Sequence, residues 1–303
     1  MKKSVFGMIG LFLLAPLFVS AQSAARPNAI VKHVVLIGVD GFGARNIPWD
    51  QMPNLRKLRD NGLYTPGRNC FPTASAINWA TALMGTTVDF HGYRKWNSKK
   101  PDVEAYQLTA KGKPPCIFSE IRRQDPNAYT VSIFDWDGIG FVHETNDVST
   151  SVFFPHDAEN YLDQEKKETE RMIQELAKKP TLAFLYFGRV DSTGHKMGWG
   201  TPEYIQACVD TDEHIGKVVA YLNESGMMQD TAILLIADHG GHDKGHGDAT
   251  LACYDIPFLI YSPKLAGYKF RQPVYLPDTA PTVAWLLGYE VFEGWRGRPA
   301  LKR

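Results

Sequence analysis

Three short apolar runs decide what this chain can fold into. HVVLIGV at 33–39, TLAFLYFGRV at 181–190 and TAILLIA at 231–237 are too short and too rich in β-branched residues to be buried helices. They read as central parallel strands. Helically spaced stretches accompany them: MPNLRKLRDNG, AINWATALMG, AENYLDQEKKETERMIQELAKK and EYIQACVDTDEHIGKVVAYLNESG, the last closed by Gly226. Strands alternating with helices predict an α/β fold, a mostly parallel central sheet with helices on both faces. YTVSIFD at 129–135 and IPFLIYS at 256–262 are further strands, and PDTAPTVAWLLG at 277–288 is a late helix. The weakly periodic remainder of 94–158 is expected to form a cap or insert that builds the pocket.

Each strong strand ends on an acid: Asp40, Asp191 and Asp238. In a parallel sheet these ends share the carboxyl edge, where open α/β folds bind ligands. One acid there is ordinary as a turn or cap residue. Three on one edge, two followed closely by histidine, point to metal binding. In RVDSTGHKMG, Asp191 and His195 face one point if Ser192, Thr193 and Gly194 form a turn. IADHGGHDKGHGD adds Asp238 and His239 directly after a strand, then His242 and His246 in a glycine-rich loop. Oxygen and imidazole ligands without thiolate suit zinc, with manganese or iron as alternatives.

The nucleophile candidate lies in CFPTASAINWATALMG. A helix starting near Ala74 places Ser75 at a helix N-terminus, a natural phosphate seat. A serine there can be only an N-cap; beside a metal, its hydroxyl ionises and becomes a nucleophile. Asn78, one turn on, can donate to a phosphoryl oxygen without adding charge, and Trp79 is the aromatic nearest to it for substrate contact. Trp96, Phe134, Trp136, Phe141, Phe153 and Phe154 cluster in the weakly periodic region and read as core and lid packing rather than a base-stacking slot.

The order of strand-Asp, P-T-x-[ST]-x-x-N, D-x-x-x-H, D-H-G and a later G-H-G resembles the alkaline phosphatase superfamily, in particular its nucleotide pyrophosphatase/phosphodiesterase branch, over about residues 33–290. The resemblance implies an alkaline phosphatase-like three-layer sandwich and two Zn2+ ions. Asp40, Ser75, Asp238 and His239 would hold one zinc, with Ser75 as the attacking alkoxide; Asp191, His195 and His246 would hold the other. Asn78 would help bind the phosphoryl oxygen. The implied reaction is cleavage of a small phosphodiester or nucleotide pyrophosphate through a phosphoseryl intermediate. An alkaline phosphatase-type phosphomonoesterase is the enzymatic alternative, and a non-catalytic binding protein on the same scaffold is the reading from another class.

Departures from the branch are specific. Its nucleophile is commonly threonine followed by a proline-asparagine pair, whereas Ser75 here precedes Ala76, Ile77, Asn78 and Trp79. His246 is preferred to His242 because it holds the glycine-flanked position. Three carboxylates and an ionised serine offset the charge of two divalent ions, so a singly charged diester fits better than a dianion. The nucleophile helix carries no arginine to clamp a dianion bidentately, though Arg68 and Arg94 flank it in sequence.

The first residues, MKKSVFGMIGLFLLAPLFVSAQ, read as a signal peptide cut after Ala21, leaving 22–303 as one catalytic domain without a membrane span, periplasmic or secreted. Losing Lys2 and Lys3 from 33 basic against 33 acidic residues gives a formal charge near −2, and nothing in that balance recruits nucleic acid as a stable partner. Cys70, Cys116, Cys208 and Cys253 are an even number in an export context, and no pairing is assigned. GVDGFG lacks the GxGxxG spacing of a dinucleotide loop. DWDGIG lacks the last glutamate of a calcium loop, Asn146 standing there. The C/S-x-P-x-R context of a sulfatase is missing.

Overall fold

A computed structural model describes residues 26–143, 145–155 and 161–303; the leader expected at 1–21 lies outside them. In chain order the elements are β1 (His33–Val39), α1 (Pro53–Asn61), β2 (Leu63–Arg68), α2 (Ser75–Leu83), α3 (Val88–His91), α4 (Ile117–Gln124), β3 (Thr130–Phe134), α5 (Gly138–Val142), β4 (Thr150–Phe153), α6 (Tyr161–Leu176), β5 (Leu182–Phe187), α7 (Arg189–Met197), α8 (Pro202–Glu224), β6 (Thr231–Ile236), α9 (Leu251–Tyr254), β7 (Asp255–Tyr261), β8 (Lys269–Phe270), α10 (Thr279–Leu286) and β9 (Leu301–Lys302). Seven strands form one sheet in the order β2-β7-β6-β1-β5-β3-β4, and β8 pairs with β9. Among the described strands of the large sheet, β7 is antiparallel to both β2 and β6, and the other pairs are parallel.

The three apolar runs are the middle of this sheet. β1 pairs in parallel with β5 on one side and β6 on the other, and all of β5 and β6 is buried. Leu36 stands between Phe184 and Leu234 in this register; burying such side chains contributes roughly 1.5–3 kcal/mol each. Burial on both faces explains why these strands are continuously apolar rather than alternating. α1, α6 and α7 pack with α8, while α2 packs with α5 and α10. Among the described residues no helix is long and apolar enough to cross a membrane.

Two expectations need correction. The run 181–190 is not all strand: β5 stops at Phe187 and α7 begins at Arg189, so Asp191 lies in the first turn of a helix. Ser192, Thr193 and Gly194 are helical, and Asp191 and His195 meet because residues four apart share a helix face. The segment 94–158 does not act as a cap throughout. Its later part builds α4 and α5 and adds β3 and β4 to the sheet, while residues 94–96 border the main cavity. All four cysteines are free thiols.

Candidate active site

Strand register brings the acids together. Gly38 pairs with Ile236, and the amide of Asp40 donates to the Phe187 carbonyl at 2.9 Å. Asp40, Gly188 and Asp238 therefore sit side by side at the carboxyl edge. Gly41 then turns the chain with φ +67, where an added Cβ would lie 2.8 Å from the Asp191 Cα. Only glycine allows this positive φ at low cost and also lets Asp191 approach.

Asp40 and Asp238 each have one carboxylate oxygen tied down and one left bare, and Asp191 leaves Oδ1 bare. Asp40 Oδ2 accepts from Trp79 Nε1 at 3.0 Å and from the Tyr186 hydroxyl at 2.5 Å. Asp238 Oδ1 accepts from the Gly41 amide at 3.2 Å. Asp191 Oδ2 faces His195 Nε2 at 3.6 Å. Asp40 Oδ1, Asp191 Oδ1 and Asp238 Oδ2 are buried without a hydrogen-bond partner. Buried orphan oxygens of this kind call for an explanation, and a bound cation is one.

The histidines are arranged in the complementary way. Nδ1 of His239 lies 3.0 Å from the Gly240 carbonyl, Nδ1 of His246 lies 2.8 Å from the Thr73 carbonyl, and Nδ1 of His195 lies 3.1 Å from the Lys244 carbonyl. A carbonyl can only accept, so Nδ1 carries the proton in each ring and the neutral ring leaves Nε2 with a lone pair. These lone pairs converge. His239 Nε2 is 3.2 Å from Asp238 Oδ2, 3.5 Å from Asp40 Oδ1 and 3.2 Å from Ser75 Oγ. His246 Nε2 is 3.8 Å from Asp191 Oδ1 and 3.1 Å from His195 Nε2. Asp40, Asp238 and His239 form one group whose ligand atoms could hold an ion; Asp191, His239 and His246 form another.

Electrostatics favours a positive charge at this point. Burial first, and then the neighbouring carboxylates, push Asp191 and Asp238 well above the usual carboxylate range; burial raises Asp40 too. His239 and His246 are pushed down to about 3, chiefly by burial. Buried acids reluctant to ionise beside imidazoles reluctant to protonate are the surroundings in which a bound cation would be favoured. The donor set, carboxylate oxygen and imidazole nitrogen with a serine hydroxyl, fits zinc.

Ser75 opens α2 and lines a cavity of about 830 Å³ together with Asp40, Asp191, His195, His246 and Trp136. Two expected substrate contacts do not reach it. Asn78 is wholly buried, accepting from the Cys70 amide at 2.9 Å and donating to the carbonyls of Cys70 and Pro72 at 3.1 Å. It braces the loop that presents Ser75. Trp79 is also fully buried and holds Asp40, with Gly38 making room beneath its ring: a Cβ there would meet Trp79 at 2.5 Å. Both corrections have one cause. Residues three and four beyond a helix start lie a turn down the axis, away from the mouth.

Several supporting residues escaped the sequence reading. Tyr186 sits inside the continuous apolar run of β5, where no polar pattern marks it. Thr73 fixes His246 through its carbonyl and, through its hydroxyl, accepts from the Gly247 amide at 3.0 Å; its place in the P-T-x-S stretch was the available signal. Asp135, just after β3, is a fourth acid at this edge and accepts from the Gly188 amide at 3.1 Å, fixing the start of α7. His242 is engaged elsewhere, between Asp243 at 2.9 Å and Asp248 at 2.7 Å. Of the aromatic cluster, Phe134 stacks on Phe153, whereas Trp96 and Trp136 line the cavity.

Comparison with known proteins follows the same residues. The profile of the family described as type I phosphodiesterase / nucleotide pyrophosphatase matches residues 34–247. Ectonucleotide pyrophosphatase/phosphodiesterase family member 3 of Rattus norvegicus is 24% identical over 260 residues, 79% of this chain and 28% of its own length. Venom phosphodiesterase 2 of Crotalus adamanteus is 27% identical over 227 residues, 68% of this chain and 26% of its own length. The chain thus spans about a quarter of these relatives. Murine ectonucleotide pyrophosphatase / phosphodiesterase 5 superposes with a TM-score of 0.66 at 14% identity, covering 89% of this chain and 100% of the other. A 2-O GAG sulfatase superposes at 0.64 with 13% identity, covering 88% and 73%. At these identities the superpositions speak for the fold alone.

Proposed function

The chain belongs to the type I phosphodiesterase / nucleotide pyrophosphatase family, and on that premise we propose that it is an exported two-zinc hydrolase of small phosphodiesters or nucleotide pyrophosphates, with Ser75 as nucleophile. The observation that carries this reading is the convergence of three orphan carboxylate oxygens and bare imidazole nitrogens beside the Ser75 hydroxyl. Zinc held by Asp40, Ser75, Asp238 and His239 would lower the pKa of the serine hydroxyl, and zinc held by Asp191, His195 and His246 would stabilise charge on the leaving oxygen.

The chain's own residues do the rest. The loop braced by Asn78 presents Ser75 at the first turn of α2, where the helix dipole favours an anionic phosphoryl group. The Gly240 carbonyl orients the His239 ring so that Nε2, 3.2 Å from Ser75 Oγ, and the serine hydroxyl face one point, and the hydroxyl hydrogen leaves to water in the cavity that Ser75 lines. Attack of Oγ on phosphorus breaks the bond to the leaving oxygen and gives a phosphoserine, which water hydrolyses from the face the leaving group vacated. Trp79 and Tyr186 fix one oxygen of Asp40 so that the other faces the site.

The test is steady-state turnover of bis-p-nitrophenyl phosphate and p-nitrophenyl thymidine 5′-monophosphate by protein stripped of metal and then restored with zinc. Turnover that vanishes on chelation and returns with zinc supports the reading. Zinc-loaded protein that cleaves neither of these nor p-nitrophenyl phosphate would instead leave a binding protein on a hydrolase scaffold.

A further inference from the structure

We propose that Arg94 recognises a second negative charge on the substrate, so that the site takes phosphoryl compounds more negatively charged than a simple diester. This rests on the hydrolase reading and specifies which esters or anhydrides the site prefers.

The position of Arg94 is set by backbone and not by its own side chain. The Ala76 amide donates to the Trp96 carbonyl at 3.1 Å, which pins residues 94–96 across the first turn of α2 beside Ser75. Asp102 holds the other side of the loop. It accepts from the Arg94 amide at 2.8 Å and from the Ser98 hydroxyl, and it lies 3.6 Å from Lys95 Nζ. That carboxylate is therefore already engaged, and among the described residues no partner takes the Arg94 guanidinium. Other arginines differ: Arg45 and Arg68 pair with Asp255, and Arg189 with Asp210 at 2.6 Å. Arg94 is exposed and lines the same cavity as Ser75, Asp191 and His246, and among the described residues its cationic head has no partner.

Charge balance gives that head a purpose. Three carboxylates and an ionised Ser75 neutralise two divalent ions, so a diester monoanion leaves the loaded site at about −1 and a dianion at about −2. The Arg94 guanidinium brings the dianion back to the level a diester would have without it. A planar fork of donors suits phosphate oxygens in pairs. The second charge can belong to the transferred group, as in a terminal monoester, or to the next phosphate, as in a nucleoside triphosphate.

The experiment measures kcat/KM of zinc-loaded wild type, Arg94→Gln and Arg94→Lys for p-nitrophenyl phosphate, ATP and bis-p-nitrophenyl phosphate. Arg94→Gln should lose about 10- to 100-fold on one or both of the first two and change little on the diester, with Arg94→Lys in between. Loss on p-nitrophenyl phosphate places the second charge on the transferred group, and loss on ATP alone places it on the neighbouring phosphates. Equal loss on all three substrates, or none on any, overturns the proposal while leaving the hydrolase reading intact. Calorimetric binding of p-nitrophenyl phosphate to zinc-loaded Ser75→Ala, with and without Arg94→Gln, gives a readout independent of turnover. Unchanged affinity for it, together with unchanged turnover of ATP, also overturns the proposal.

Discussion

The Nε2 atoms of His195 and His246 stand 3.1 Å apart, although each ring has its Nδ1 turned to a backbone carbonyl. Two lone pairs at that separation repel unless a proton or a cation lies between them. Asp191 is within 4 Å of both rings, at 3.6 and 3.8 Å, which makes a shared metal the simplest resolution. His246→Ala should therefore lower the zinc content of the reconstituted protein by about one equivalent, measured by elemental analysis after gel filtration. His242→Ala, which removes only an ion pair with Asp243 and Asp248, should leave it unchanged; the reverse result would exchange the two histidines.

Tyr186 is predicted to tune metal affinity without touching metal. Tyr186→Phe keeps the ring and removes the hydroxyl that donates to Asp40 Oδ2 at 2.5 Å. Loss of such an outer hydrogen bond should weaken zinc binding about 10-fold or more, read by competition with a chelating dye. Unaltered affinity would show that Trp79 alone positions Asp40.

Gly41→Ala should damage both stability and the site. A Cβ there falls 2.8–2.9 Å from Asp191, at a backbone angle of φ +67. The expected loss is about 1–3 kcal/mol of stability together with reduced zinc content, checked by denaturant titration and metal analysis. An alanine variant with normal stability and metal content would mean that the turn relaxes freely.

Much of this was legible in the chain. β1, β5 and β6 announce themselves because both faces are buried, and Asp40, Asp238 and His239 follow from where those runs stop. β2 and β4 did not: β2 is an edge strand interrupted by Pro66, and β4 is only partly buried. Asp191 was found for a partly mistaken reason, since its partnership with His195 is helical spacing and not a turn after a strand. Asn78 and Trp79 were misplaced because nearness in sequence to a nucleophile says nothing about which way a helix carries the next turn. The Thr73 carbonyl that orients His246 belongs to the backbone, on which residue identity is silent.

A buried carboxyl beside Asp135 sets a further pH dependence. Glu168 is pushed up to about 11 by burial and then by Asp135, from an ordinary 4.5. A carboxyl whose folded pKa is raised binds its proton more tightly folded than unfolded, so stability falls as pH climbs between the two values. Glu168→Gln mimics the protonated acid and can keep the contact with Gln164, now 3.1 Å. Its melting temperature should fall less steeply than that of wild type between about pH 6 and pH 9; parallel curves would show that Glu168 ionises normally in the folded chain.

The most direct measurement of the central claim is turnover of bis-p-nitrophenyl phosphate by Ser75→Ala, with zinc content determined on the same sample. The expected result is loss of turnover by at least about a thousandfold, with zinc content largely retained. Near-wild-type turnover by the zinc-loaded variant would contradict Ser75 as the nucleophile, and with it the hydrolytic mechanism assigned to this site.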